Sequence, residues 1–112
     1  MPGDTFLDFI LDQLHDLGVV DARPMFGGHG LYCDGIFFGI VFDGQLYLKT
    51  DGASRRDYLI RGMQPFRPND RQTLRSYYEV PPEILEDDRA LSDWARNACR
   101  ATLATKGRGP RD

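Results

Sequence analysis

Residues 30–49 read GLYCDGIFFGIVFDGQLYLK, and this stretch decides the fold. Two Asp-Gly dipeptides, Asp34-Gly35 and Asp43-Gly44, stand between runs of aromatic and aliphatic residues. A two-residue hairpin turn with both central residues at positive φ matches the twist of paired strands, and Asp-Gly reaches that conformation easily. The stretch therefore predicts strands over 30–33, 36–42 and 45–49, joined by two tight hairpins. Residues 36–42 are apolar on both faces, which suits a central strand covered by a helix on one side and by another part of the chain on the other.

Outward from this centre the patterns change. Residues 19–26 predict a further strand, on which Pro24 favours a sheet edge or a bulge. Before it, Phe6, Leu7, Ile10, Leu14 and Leu17 recur at three- and four-residue steps and predict a helix over 4–17. Asp4 suits its N-cap, and Gly18 suits the positive-φ position past its end. Residues 53–61 predict a short helix capped by Asp51 and stopped by Gly62. Residues 65–70 read as a loop or short strand, and 73–80, rich in aromatic and β-branched residues, as a strand. Pro81-Pro82 ends that strand, with Pro82 in the first turn of a helical segment. From Asp88, the spacing of Leu91, Trp94, Ala95, Ala98 and Leu103 predicts an amphipathic helix to about Thr105. The order predicts an α+β fold, an antiparallel sheet of about five strands with helices packed on one face. The chain's 112 residues fit one domain, with a core over about 4–105 and a flexible basic tail over 106–112.

Composition narrows the function classes. Apolar residues at 41% and charged residues at 28% are ordinary for a globular chain and wrong for a disordered one. The first residues carry no basic segment, and Asp8 and Asp12 interrupt the apolar residues after them, so no leader is expected. The longest apolar run is far short of a membrane span. Cys33 and Cys99, with no export signal, read as reduced thiols, which places the protein in the cytoplasm. The net charge of −3 is unevenly spread. Residues 1–22 hold five aspartates and no base, and 79–93 hold six acids against Arg89. Between them, Lys49, Arg55, Arg56, Arg61, Arg67, Arg71 and Arg75 face only Asp51, Asp57 and Asp70. Such a run reads as a solvated face, or as a patch for an acidic partner or for self-association.

Few residues carry a chemical signature. The run from Met25 to Gly30, MFGGHG, invites reading as a phosphate cradle. It lacks the Lys-Ser/Thr ending of a P-loop and runs from strand into strand, so the simpler reading is a turn or bulge with close backbone packing. His29 and Cys33 share one face of a strand about 13 Å apart, too far to share a metal ion or form a dyad. Ser54, Ser76 and Ser92 have no neighbouring His, and the Glu83, Glu86, Asp87 and Asp88 carboxylates read as helix N-terminal charges. No enzyme activity, cofactor or metal is expected. The arginines, interleaved with Tyr58, Phe66, Tyr77 and Tyr78, leave direct nucleic-acid binding through residues 55–75 as the alternative to a protein-interaction role. A small-molecule pocket behind Gly27–Gly30 is the third reading.

Residues 22–32, ARPMFGGHGLY, resemble the hallmark of the TfoX/Sxy amino-terminal domain, carried here by Arg23, Met25, Phe26, Gly27, Gly28, Gly30, Leu31 and Tyr32. The similarity continues through DGIFF at 34–38, GQLYLK at 44–49, SYYEVP at 76–81, Glu86-Asp87 and Trp94-Ala95, and spans about residues 4–104. As a single-domain member, the chain is implied by this resemblance to have a fold like the secretion chaperones. The resemblance also implies a bacterial protein related to competence regulators, which act with the cyclic-AMP receptor protein as co-activators. It brings no catalytic residue. The expectation is a non-enzymatic module that contacts a protein, possible transcription machinery among its partners, with homodimerisation open and no membrane role.

Overall fold

Tight turns organise the sheet. The computed structural model describes residues 5–105. The cap expected of Asp4 and the tail expected over 106–112 lie outside the described residues. The order is α1 (Thr5–Gln13), β1 (Val20–Met25), β2 (Gly28–Cys33), β3 (Ile36–Phe42), β4 (Gln45–Lys49), α2 (Gly52–Ile60), β5 (Pro65–Asn69), β6 (Gln72–Glu79), α3 (Pro82–Leu85) and α4 (Asp88–Ala104). Both Asp-Gly turns form: Asp34 and Gly35 have φ of 52° and 78°, Asp43 and Gly44 of 51° and 73°. A third turn of the same kind joins β1 to β2, with Phe26 at 54° and Gly27 at 84°.

The six strands form one open antiparallel sheet in the order β1-β2-β3-β4-β6-β5. The sheet has six strands, against about five expected, because Pro65–Asn69 pairs with β6 as a strand of its own. β3 lies inside the sheet, and β1, with Pro24, lies at an edge. The helix expected over 4–17 stops at Gln13. Leu14 and Leu17 hold their places in the apolar stripe through turns, with Leu17 N donating to Leu14 O at 2.9 Å. Gly18, at φ 122°, then redirects the chain into β1.

Helices cover one face of the sheet. Leu31, Cys33, Phe38, Val41, Leu46 and Leu48 pack there against Ile10 and Leu14, Tyr58 of α2, Ile84 of α3, and Leu91, Ala95 and Ala98 of α4. Each fully buried Leu or Phe in this layer contributes about 1.5–3 kcal/mol. β3 can serve both faces because it bulges. Leu31 is opposite Gly39 and Tyr32 is opposite Phe37, so Phe38 is an extra residue. Phe38 and Val41 then face the helices, while Phe37 and Ile40 face the other side. Beside the bulge, the Phe37 carbonyl accepts from Thr102 Oγ1 at 2.6 Å, which ties α4 to β3.

The second face has no helix and closes on itself. Phe66 of β5 is fully buried, with its ring 4.8 Å from that of Tyr47, 5.3 Å from Phe42 and 5.8 Å from Phe26. Phe26 sits at the tip of the β1–β2 hairpin and Phe66 on the opposite edge strand, so the sheet coils strongly enough to bring the two together. Ile40, Tyr77, Met25, Phe37 and Leu74 complete this smaller core.

The helix caps follow the sequence. Asp51 accepts from Ser54 N at 2.8 Å, and Ser54 Oγ accepts from Asp51 N at 3.0 Å, a reciprocal capping box. The bond from the Ser54 amide holds the Asp51 carboxyl below its ordinary value. Asp87 caps α4 through Ala90 N at 3.1 Å. Among the described residues, no helix is long and apolar enough to cross a membrane.

Candidate interaction surfaces

The glycine-rich segment is built into the sheet. Its pairing with β1 runs from Arg23↔Gly30 through Pro24↔His29 to Met25↔Gly28 without a break. A Cβ on Gly28 would fall far inside contact distance of the Val41 carbonyl oxygen and 3.1 Å from Phe42 Cα. A Cβ on Gly30 would meet the Phe37 ring at 3.0 Å and the end of Met25 at 3.3 Å. Leu31 is fully buried under the helices. Tyr32 stacks 5.1 Å from Phe37 and carries the Arg23 guanidinium 4.5 Å above its ring. In this motif Gly28 and Gly30 leave room for the neighbouring strand and side chains, Gly27 holds the positive φ of the turn, and Leu31 and Tyr32 pack against the sheet's neighbours.

The groups on β2 that could carry chemistry stay apart. His29 and Cys33 are both on β2, and His29 lies between Pro24 and Val41 on the neighbouring strands. Its Nδ1 is buried with no hydrogen-bond partner among the described residues. Burial, and then the Asp34 charge, raises the Cys33 thiol. Burial, then Cys33 and Asp34, pushes Cys99 up to about 11. Both sulfurs are therefore protonated thiols at neutral pH, poor as nucleophiles and as metal ligands. Among the described residues no three His, Cys, Asp or Glu side chains gather to hold a metal. A cleft lined by Lys49, Ser54, Asp57, Tyr58, Trp94 and Asn97 has about 20 Å³, room for one water.

The structure divides the basic run in two. On α2, Arg55 Nε donates to Thr50 Oγ1 at 3.1 Å, with its guanidinium 5.9 Å from the Tyr78 ring. Arg61, just past α2, lies 3.4 Å from Glu83 Oε2 and 5.3 Å above the Trp94 ring. Lys49 is 6% exposed, donates to Ser76 Oγ at 3.0 Å and sits over Tyr77. Arg56 is exposed on α2, while Arg67, Arg71 and Arg75 are exposed on the β5–β6 hairpin. These four side chains make no hydrogen bond or ion pair with the described residues. The six arginines that form one run in sequence are therefore partly structural and belong to two separate elements.

Apolar surface remains exposed at the end of α2. Leu59 and Ile60, at the end of α2, are 55% and 79% exposed, between Arg56 and Arg61. A helix this short shows no clear apolar stripe, so its outer face could not be assigned from spacing. The apolar 36–42 strand and the helix face with Trp94 are largely covered within the fold. Phe38, Ile40 and Val41 are buried, and Trp94 lies 4.8 Å from the Tyr58 ring with Arg61 above it.

An acidic region lies where the turn after α1 meets α4. His15 Nε2 is 2.7 Å from Asp88 Oδ2, and Nδ1 is 3.2 Å from Asp16 Oδ1. The hydrogen bond to Asp88, helped by the Asp16 charge, raises His15 above its ordinary 6.5. The same bond lowers Asp88. The bridge between protonated His15 and ionised Asp88 therefore favours the folded chain fully below pH 6.5 while Asp88 stays ionised, fades as pH rises through the raised His15 value, and is lost again in acid as Asp88 protonates. An NMR titration of the His15 ring is expected to give a midpoint above 6.5 that falls toward it in Asp88→Asn. A midpoint unmoved by that substitution would remove the bridge from the account.

The TfoX N-terminal domain family model matches residues 12–102, which takes in the glycine-rich segment, the basic run and nearly all of the last helix. No curated protein matches the chain.

Proposed function

The chain belongs to the TfoX N-terminal domain family, and from that premise we propose that it is a non-enzymatic protein-interaction module of the cytoplasm, a transcription or competence co-regulator that works through protein contacts. The observation that carries this reading is the exposed Leu59–Ile60 pair flanked by Arg56 and Arg61. Two adjacent large apolar side chains at the end of a helix, rimmed by cations, supply the dry centre and polar rim of a protein contact. The acidic α1–α4 region and the separate arginines give the surface a charge asymmetry that steers an encounter.

Arg56 is the clean charge probe of this surface, because reversing Arg55 or Arg61 also disturbs the packing on Tyr78 and Trp94. The test uses tagged wild-type chain and a Leu59→Asp/Ile60→Asp variant on nuclease-treated lysate of the source cell, read by mass spectrometry. Purified cyclic-AMP receptor protein is the defined bait in a parallel binding assay. Wild type is expected to hold transcription-associated proteins after nuclease, and the variant to lose at least about tenfold, the effect of about 1.4 kcal/mol at a contact centre. Equal capture by both chains, or loss of the catch with nuclease, contradicts the reading.

A further inference from the structure

The β5–β6 hairpin outruns the rest of the sheet. β4 pairs with β6 only at Tyr47↔Glu79, Leu48↔Tyr78 and Lys49↔Tyr77. The last tie is Thr50 N donating to Ser76 O at 2.7 Å. Before Ser76, β6 is paired with β5 alone, at Phe66↔Leu74 and Asn69↔Gln72. Residues 66–75 are thus a two-stranded ribbon, rooted by the buried Phe66 and closed by a turn in which Asn69 Oδ1 accepts from Arg71 N at 2.8 Å.

That ribbon carries Arg67, Arg71 and Arg75, all exposed, against the single acid Asp70. Elsewhere Arg23, Arg55, Arg61, Arg96 and Arg100 each have a partner in the fold, and Arg56, which has no hydrogen bond or ion pair with the described residues, stands singly on α2. The ribbon's guanidiniums make no hydrogen bond or ion pair with the described residues. Three like charges on one small element repel one another, and a polyanion that displaces their counterions relieves them together. A guanidinium presents a planar fork of donors that matches phosphate oxygens. The major groove of duplex DNA admits a two-stranded β-ribbon. The exposed Asn69 and Gln72 beside the turn are residue types that hydrogen-bond to the DNA backbone and to base edges.

We propose that the β5–β6 ribbon is a DNA-contacting arm, which binds the phosphate backbone of duplex DNA through Arg67, Arg71 and Arg75. The arm is independent of the Leu59–Ile60 contact, so the failure of either leaves the other standing. Three cations set a modest affinity with a defined salt response. Each phosphate neutralised adds about −0.9 to the slope of log K against log salt, so the full arm gives about −2 to −3.

The test is fluorescence anisotropy of a labelled duplex of mixed sequence, about one helical turn or more in length, titrated with the full chain over a series of potassium chloride concentrations. Wild type is expected to bind at low salt with that slope. The Arg67→Ala/Arg71→Ala/Arg75→Ala variant is expected to bind at least about tenfold more weakly with a slope near zero, while Arg89→Ala, at an exposed arginine of α4, behaves as wild type. Should the triple variant lose its fold by circular dichroism, each single variant still tests the arm by lowering the slope by about 0.9. The proposal is overturned by no saturable binding at low salt, or by unchanged affinity and slope in the triple variant. Tighter binding of a single strand than of the duplex also overturns it. Preference for polyglutamate over DNA overturns it as well and hands the arm to an acidic protein.

Discussion

Gly28→Ala is expected to cost about 3 kcal/mol or more, the upper end of what overpacking does to a well-packed site. The added Cβ runs into the Val41 carbonyl oxygen and approaches Phe42 Cα. Both are backbone, so no rotamer change makes room, and β2 and β3 would have to part where His29 pairs with Val41. Its neighbours separate this effect from two others. Gly27→Ala meets nothing within 4 Å but must hold φ near 84°, which costs about 1–2 kcal/mol. Gly30→Ala presses on the Phe37 ring edge and the flexible end of Met25, which can shift, and is expected at about 1–2 kcal/mol. Urea unfolding of the three variants with unchanged m-values gives the order. A Gly28→Ala chain as stable as Gly27→Ala contradicts the steric account of the motif.

Phe66→Ala is expected to cost about 3–5 kcal/mol, the range for removing a fully buried aromatic side chain. Its ring is the one on which Phe26, Phe42 and Tyr47 converge, and no helix stands behind it to refill the space. The loss falls first on the second face. Amides of β5 and β6 that pair only with each other are expected to lose hydrogen-exchange protection before those of β3. In a chain of this size the thermal midpoint should fall by more than about 10 °C. Phe66→Leu, which keeps most of the apolar volume, is expected to recover a large part of the loss. A loss under about 1 kcal/mol for Phe66→Ala contradicts a load on that ring and the coiling of the sheet that it implies.

What the sequence disclosed follows from how local each signal is. Asp34-Gly35 and Asp43-Gly44 form their turns because both residues of each pair tolerate positive φ. The same geometry at Phe26-Gly27 is not legible, because a bulky aromatic rarely takes φ near 54° and does so here with its ring against Phe66 across the sheet. The end of α1 is misread for a related reason. Leu14 and Leu17 keep the stripe's spacing through non-helical turns, so periodicity cannot see the stop at Gln13. The 65–70 segment, with Pro65 and Pro68, reads equally as a loop or a short strand, and pairing makes it an edge strand, where missing amides are tolerated. The bulge at Phe38 depends on strand pairing and leaves no local mark.

The same limit applies to the candidate sites. Arg55 to Arg75 form one basic run in sequence, yet Arg55 and Arg61 are held by Thr50, Glu83 and Trp94, while Arg67, Arg71 and Arg75 stand on a ribbon of their own. Which arginine is free depends on contacts distant in sequence. The family motif is visible as a pattern, but its physical reason, glycines where β2 meets β3 and Phe37, appears only once the strands are paired.

We propose that Met25–Tyr32 builds the sheet rather than cradling an anion, with function on the exposed surfaces. The most direct test is a ¹H–¹⁵N correlation spectrum of the folded chain titrated with inorganic phosphate. The account predicts that the amides of Gly27, Gly28 and Gly30 stay in place through the titration. Saturable shifts confined to those amides would contradict it and restore the glycine-rich segment as an anion site.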